Sequence, residues 1–168
     1  MAVAPDTVEI FDRAVSEGQR RLGQSLLELV APVAGEAFAF ETPDVVLTAA
    51  TDGITLAAAM AAHFGSTVAY AKQSKETAVE EFIESRQRLK SGIELTYYLP
   101  SQAIDSGDSV LIVDDLIRSG GTQELLVDIA ERAGADIAGV FALIAAGGEG
   151  IERAESRVDS PVGALTTL

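Results

Sequence analysis

The sequence predicts an α/β protein: a parallel sheet core with helices on both faces. Three observations carry this expectation. Short apolar runs recur at Val45-Val46-Leu47, Thr67-Val68-Ala69, Val110-Leu111-Ile112-Val113 and Val140-Phe141-Ala142. Such runs read as strands, and the run at 110–113 as one buried on both faces. Helical patterns stand between them, and strands that alternate with helices build parallel sheets. The length of 168 residues, 48% of them hydrophobic, suits a single domain with a proper core.

Asp6 and Glu9 have the spacing of a capping pair. Val8, Phe11, Val15, Leu22, Leu26, Leu29 and Val33 then recur at helical spacings. This predicts one amphipathic helix or two over residues 7–33, ended by Pro32. Phe38 and Phe40 read as core ahead of Pro43. Residues 45–50 form the first strand, Thr51-Asp52-Gly53 a turn, and residues 54–63 an Ala-rich helix. Strand, tight glycine turn and helix together make an anion site at a helix N-terminus. His63, the only histidine, reads as a helix-end residue rather than a catalytic one.

Residues 67–71 form the second strand. Lys72 lies at its carboxyl end and Lys75 three residues on, in a chain whose only other lysine is Lys90. Residues 74–91 are polar and crowded with charge, the mark of a functional loop; a helical turn is expected at Glu80-Glu81-Phe82-Ile83. Ile93, Leu95, Tyr97 and Leu99 alternate with polar positions, which predicts a half-exposed strand ended by Pro100 and a hairpin or flap beside the core. A short helix or turn covers 102–106. After the next strand, Leu125, Leu126, Ile129, Ala130 and Ala133 form a helical face that Gly134 stops. A strand at 138–144, a loop with a helix at 147–157 and a short strand at 161–165 complete the chain.

The net charge is −14, from 26 acidic and 12 basic residues. This argues against nucleic-acid binding, which needs a basic patch. It suits a cytoplasm rich in salt, which screens self-repulsion, and points to a halophilic source. The melting temperature is therefore expected to rise between dilute and molar KCl; a value indifferent to KCl contradicts this. No apolar run approaches the roughly 20 residues that span a bilayer, and the first residues lack the form of a signal peptide. With no cysteine there is neither a disulfide nor a thiolate site. A cytoplasmic protein without a membrane partner is expected.

The chemistry concentrates in the run from Val110 to Thr122. Four apolar residues lead into Asp114 and Asp115, then Leu116-Ile117, then the turn Arg118-Ser119-Gly120-Gly121-Thr122. Paired glycines let backbone N–H groups point inward, Ser119 and Thr122 add hydroxyls, and the helix that follows presents its positive end. That combination cradles a phosphate. The two carboxylates suit sugar hydroxyls or a divalent metal further along the same ligand. A Walker A loop is excluded, since no Gly-Lys-Ser/Thr occurs.

This run resembles the 5-phosphoribosyl-1-pyrophosphate (PRPP) motif of the type I phosphoribosyltransferases, over roughly residues 44–168. The resemblance implies their fold, with a small hood, drawn partly from an N-terminal helical segment at 1–40, and a flexible β-flap. It also implies transfer of the phosphoribosyl group of PRPP to a free nucleobase, with Mg²⁺ and loss of pyrophosphate, by a homodimer. Asp114 and Asp115 would take the ribose hydroxyls or the metal's waters, and Arg118, Ser119, Gly120, Gly121 and Thr122 the 5′-phosphate. Thr51, Asp52, Gly53 and Lys72 would address the pyrophosphate, often held in this family through a strained peptide bond. Lys75 joins Asp114 and Asp115 as a catalytic candidate. Residues 74–91 would be the mobile hood loop, and Phe38 or Phe40 could stack on the base. Hypoxanthine-guanine enzymes place a carboxylate where Arg118 stands and a Lys after the next strand. Both are missing, since Ala145-Ala146-Gly147-Gly148 follows Ile144, so adenine is the first expectation. Other purine or pyrimidine transferases, or a non-catalytic PRPP sensor, are the alternatives.

Overall fold

The fold is described from a computed structural model covering residues 26–38, 40–88 and 92–168. The expected pattern over residues 7–25 and Lys90 lie outside these. A π-helical stretch, Leu26–Val30, leads into helix α1, Ala31–Phe38. Strand β1 (Val45–Ala49), helix α2 (Ile54–Phe64) and strand β2 (Thr67–Ala71) follow, then the hairpin strands β3 (Phe82–Arg88) and β4 (Glu94–Pro100). After a 3₁₀ turn at Ser101–Ala103 come β5 (Ser109–Ile117), α3 (Gly121–Ala133), β6 (Asp136–Ala145), α4 (Glu149–Glu155) and β7 (Val162–Thr167).

The five-stranded sheet has the order β2-β1-β5-β6-β7, with every pair parallel. Two apolar layers cover it. On one face lie Leu125, Leu126 and Ile129 of α3; on the other, Leu56, Ala57 and Met60 of α2 with Ala31 and Ala34 of α1. Strand β1 is buried at every position, whereas edge strand β2 leaves Val68 and Tyr70 exposed.

Two glycines let aromatic rings lie flat on the sheet. A Cβ on Gly163 would come 2.0 Å from Phe38 Cε1, and one on Gly139 2.5 Å from Phe40 Cδ1. The ring centroids of Phe38 and Phe40 are 5.6 and 6.2 Å from that of Phe141. Both therefore pack on the core.

Three expectations are corrected. Pro32 does not end the first helix, which runs on to Phe38. Pro32 falls where the π-helical stretch passes into the α-helix, so its missing N–H lies at a change of hydrogen-bond ladder rather than inside a regular one. Residues 80–83 form no helical turn; β3 begins at Phe82 and pairs with β4 from Phe82↔Pro100 to Arg88↔Glu94. The alternation is carried by Ser85, which is buried, and Arg86 and Arg88, which are exposed. Charge on the outer face hid this period of two. The strand at 110–113 does not stop before the carboxylates but continues through them to Ile117.

Candidate functional site

Successive connections leave β1 and β5 in opposite directions, β1 to β2 one way and β5 to β6 the other. The crevice beyond their carboxyl ends is the switch point at which open α/β sheets bind ligands. Pairing of β1 with β5 ends at Leu47↔Ile112, whereas β5 keeps its pairing with β6 through Asp114↔Ala142 to Ile117↔Ala145. Asp114 and Asp115 therefore emerge where β5 has lost one neighbour.

Asp114 is only 8% exposed. Its Oδ2 accepts a 2.7 Å hydrogen bond from Gln123 Nε2, and its Oδ1 one of 3.0 Å from the Asp115 N–H. Burial above all pushes its carboxyl up to about 7, and the hydrogen bond and charge of Asp115 add to the rise. Gln123, 2% exposed, was not singled out by sequence reasoning. The available signal was an amide on the helical face that also carries Leu126 and Ala130.

The glycine turn follows. Gly120 caps α3 in the left-handed conformation, φ 75°, which only glycine adopts without strain. Arg118 and Ser119 are exposed and Thr122 is half-buried. Helix α3 has 13 residues, long enough to present a dipole and unpaired N–H groups to an anion. In its first turn, Glu124 accepts Arg153 Nε on Oε1 at 2.6 Å, Arg153 Nη2 on Oε2, and Gln87 Nε2 on Oε2 at 2.9 Å. Hydrogen bonding to Arg153 holds the Glu124 carboxyl below its usual range and raises the guanidinium in return. Glu124, Arg153 and Gln87 were also missed, because each partner lies far away in sequence.

On the other side of the switch point, the Ala50–Thr51 peptide is cis. An open cleft of about 530 Å³ is lined by Ala50, Thr51, Ile54, Tyr70, Lys72, Gln73 and Ser74. Thr51 and Lys72 thus share one cleft. Asp52 is exposed beside it, while Gly53 is buried at the N-cap of α2, where a Cβ would come 2.0 Å from Thr48 Oγ1. Gly53 shapes the turn. Lys72 pairs with Glu76, whose hydrogen bond raises the lysine above its usual value, and lies 5.0 Å from the Tyr70 ring. The backbones of Lys72 and Tyr98 exchange two hydrogen bonds, of 2.9 and 2.7 Å, which tie the hairpin to the end of β2. Lys75 is turned onto that hairpin, 4.9 Å from the Tyr98 ring, 5.7 Å from the Phe82 ring and 3.9 Å from Glu84 Oε2. The residues expected to form a loose lid are thus partly an ordered β-ribbon. His63 is exposed at the end of α2, against Phe64.

The profile of the phosphoribosyl transferase domain matches residues 22–162. This chain belongs to that family. It is similar to the purine biosynthesis transcriptional repressor PurR of Bacillus subtilis, 29% identical over 143 residues, 84% of this chain and 49% of the repressor. It is also similar to a xanthine phosphoribosyltransferase of Clostridium tetani, 35% identical over 102 residues, 59% of this chain and 54% of that protein. The chain spans about half the length of these curated relatives. The crystal structure of adenine phosphoribosyltransferase from Rhodothermus marinus superposes with a TM-score of 0.73 at 27% identity, covering 86% of this chain and 80% of that one. The parallel five-stranded core is the phosphoribosyltransferase fold.

Phosphoribosyltransferase chemistry implies Mg²⁺. Among the described residues no group of three or more His, Cys, Asp or Glu could hold a metal ion. Two adjacent carboxylates suit Mg²⁺ only as a partly hydrated ion shared with a ligand's own oxygens; Asp115, the less buried of the two, would be its contact. No described helix is long and apolar enough to cross a membrane.

Proposed function

We propose that this chain binds PRPP and transfers its phosphoribosyl group to a free purine, adenine first. One observation carries the reading: two carboxylates stand at the switch point directly before a glycine turn that opens a 13-residue helix. Asp114 and Asp115 accept the ribose hydroxyls, and Arg118, Ser119, Gly120, Gly121 and Thr122 hold the 5′-phosphate. Thr51, Asp52, Gly53 and Lys72 address the pyrophosphate, for which Lys72 exchanges its contact with Glu76. Lys75, which packs on the hairpin against Tyr98 and Phe82, would turn from it to add positive charge there. Asp115 would help hold the Mg²⁺ that accompanies PRPP, and that ion would offset charge on the leaving group. A lone pair on the base nitrogen forms the bond to C1′ as the bond from C1′ to the pyrophosphate oxygen breaks. Pyrophosphate leaves with that electron pair, and one of its oxygens can take the N–H proton that the base loses. The chain's part is to position, to match charge and to exclude water.

Adenine is favoured because Arg118 offers no carboxylate to the base and no Lys stands between Ile144 and α4. A site built around one exocyclic pattern can reject another by on the order of 10⁴. Pyrophosphate release is expected with adenine well ahead of hypoxanthine, guanine, xanthine, uracil and orotate. Preferred turnover of a 6-oxopurine would overturn the adenine assignment and leave the PRPP site intact. The likeness to a repressor over 84% of the chain favours a second reading, a PRPP sensor. Tight PRPP binding with no turnover of any base would select it.

A further inference from the structure

Helix α4 stands directly behind the phosphate turn. A Cβ on Gly150 would come 2.5 Å from Ile117 Cγ2 and 2.6 Å from the Arg118 carbonyl oxygen. A Cβ on Gly120 would come 2.9 Å from the Gly150 carbonyl oxygen and 3.2 Å from Arg153 Cδ. Turn and helix thus touch backbone to backbone. From α4, Arg153 Nη1 donates to the Ser119 carbonyl at 3.2 Å while the rest of the guanidinium grips Glu124. The Gln87 amide, on β3, reaches the same carboxylate. Its Oε1 is buried without a partner and stands 3.0 Å from the Cβ position of Gly121.

Two consequences follow from elementary geometry and charge. The Ser119–Gly120 peptide is trans, so its C=O and N–H point in opposite directions. Fixing the Ser119 carbonyl on Arg153 turns the Gly120 N–H to the opposite side of the turn. Released from Arg153, a peptide that precedes glycine can rotate at little steric cost. In addition, a lone carboxylate in the first turn of α3 would repel a phosphate seated at that N-terminus, and Arg153 neutralises it.

We propose that Arg153 is a positioning residue for the phosphate subsite, acting through the Ser119 carbonyl and Glu124, with Gln87 extending the same brace to the β-hairpin. The proposal rests on the reading of residues 118–122 as the 5′-phosphate turn. Arg153 itself need not touch the ligand.

The test is calorimetric titration of the full chain with ribose 5-phosphate and, separately, with pyrophosphate. Arg153→Met is expected to weaken ribose 5-phosphate about ten- to a hundredfold, the scale of one hydrogen bond to a charged group, and to leave pyrophosphate within about twofold. In turnover, KM for PRPP should rise by a similar factor while kcat holds. Arg153→Lys, which keeps the charge without the planar fork, should fall between wild type and Arg153→Met, and serves if the latter folds poorly. Adding Glu124→Gln to Arg153→Met should recover part of the lost affinity by removing the unpaired carboxylate. Equal loss for both ligands, or ribose 5-phosphate affinity unchanged beside a lowered melting temperature, would make Arg153 a structural brace only and overturn the proposal. Wild-type protein that binds neither ribose 5-phosphate nor PRPP would instead overturn the 5′-phosphate reading, and the proposal with it.

Discussion

Replacing both switch-point carboxylates, Asp114→Asn with Asp115→Asn, is expected to remove the stabilisation that PRPP gives the wild-type chain. On the proposed reading each carboxylate accepts ribose hydroxyls or metal-bound waters, and a hydrogen bond to a charged group is worth about 1.5–3 kcal/mol. Losing two should weaken PRPP by a hundredfold or more, on the order of 3 kcal/mol at the least. A ligand at about a hundred times its Kd stabilises the folded state by about 2.7 kcal/mol, so the change is readable as a melting temperature with and without PRPP and Mg²⁺. The variant should keep a cooperative transition, because the amides preserve the shape of the carboxylates and Gln123 can still donate to residue 114. An undiminished PRPP effect in the double variant would detach these residues from the ligand.

Asp114→Asn alone is expected to stabilise the ligand-free chain at alkaline pH. Asp114 has a carboxyl raised from 3.8 to about 7 in the folded protein. Because the folded value lies above the unfolded one, its contribution to stability is complete below about pH 4 and is lost as pH rises through 7. Asparagine does not ionise, so the variant escapes that loss. The ceiling is about 1.4 kcal/mol for each tenfold change in proton affinity between the unfolded and folded chain, a few kcal/mol in all. Melting curves at pH 5 and pH 8 should show the variant gaining on wild type as pH rises. Equal destabilisation at both pH values would mean that Asp114 is comfortably ionised where it stands. Gain of stability with loss of binding is the usual trade at a site that holds strained charge.

Much of the sheet was legible because its signal is local. The runs at 45–49 and 110–113 are apolar over consecutive residues, as strands buried on both faces require, and 67–71 keeps enough of that signal although this edge strand leaves Thr67, Val68 and Tyr70 exposed. The glycine turn and the two carboxylates before it were legible for the same reason: they are contiguous in the sequence. What stayed hidden depends on partners distant in the chain. Glu124 looks like an ordinary first-turn acid until Arg153, 29 residues on, and Gln87, 37 residues back, are seen on it. Glu76 was hidden for another reason: it stands only four residues from Lys72, but in a stretch read as loop, where that spacing implies no pairing. β3 looked like a loop because its outward face is charged, and only pairing with β4 reveals which positions turn inward. Pro32 misled because a proline stops a regular helix but is tolerated at a change of ladder.

The switch-point carboxylates and the glycine turn are proposed to form one PRPP site. Calorimetric titration of the full chain with PRPP in Mg²⁺ tests it most directly, with ribose 5-phosphate and pyrophosphate titrated separately for comparison. One PRPP per chain is expected, bound more tightly than either fragment and weakened a hundredfold or more by Asp114→Asn with Asp115→Asn. A wild-type chain that gives no PRPP binding heat and no change in melting temperature with PRPP would contradict it.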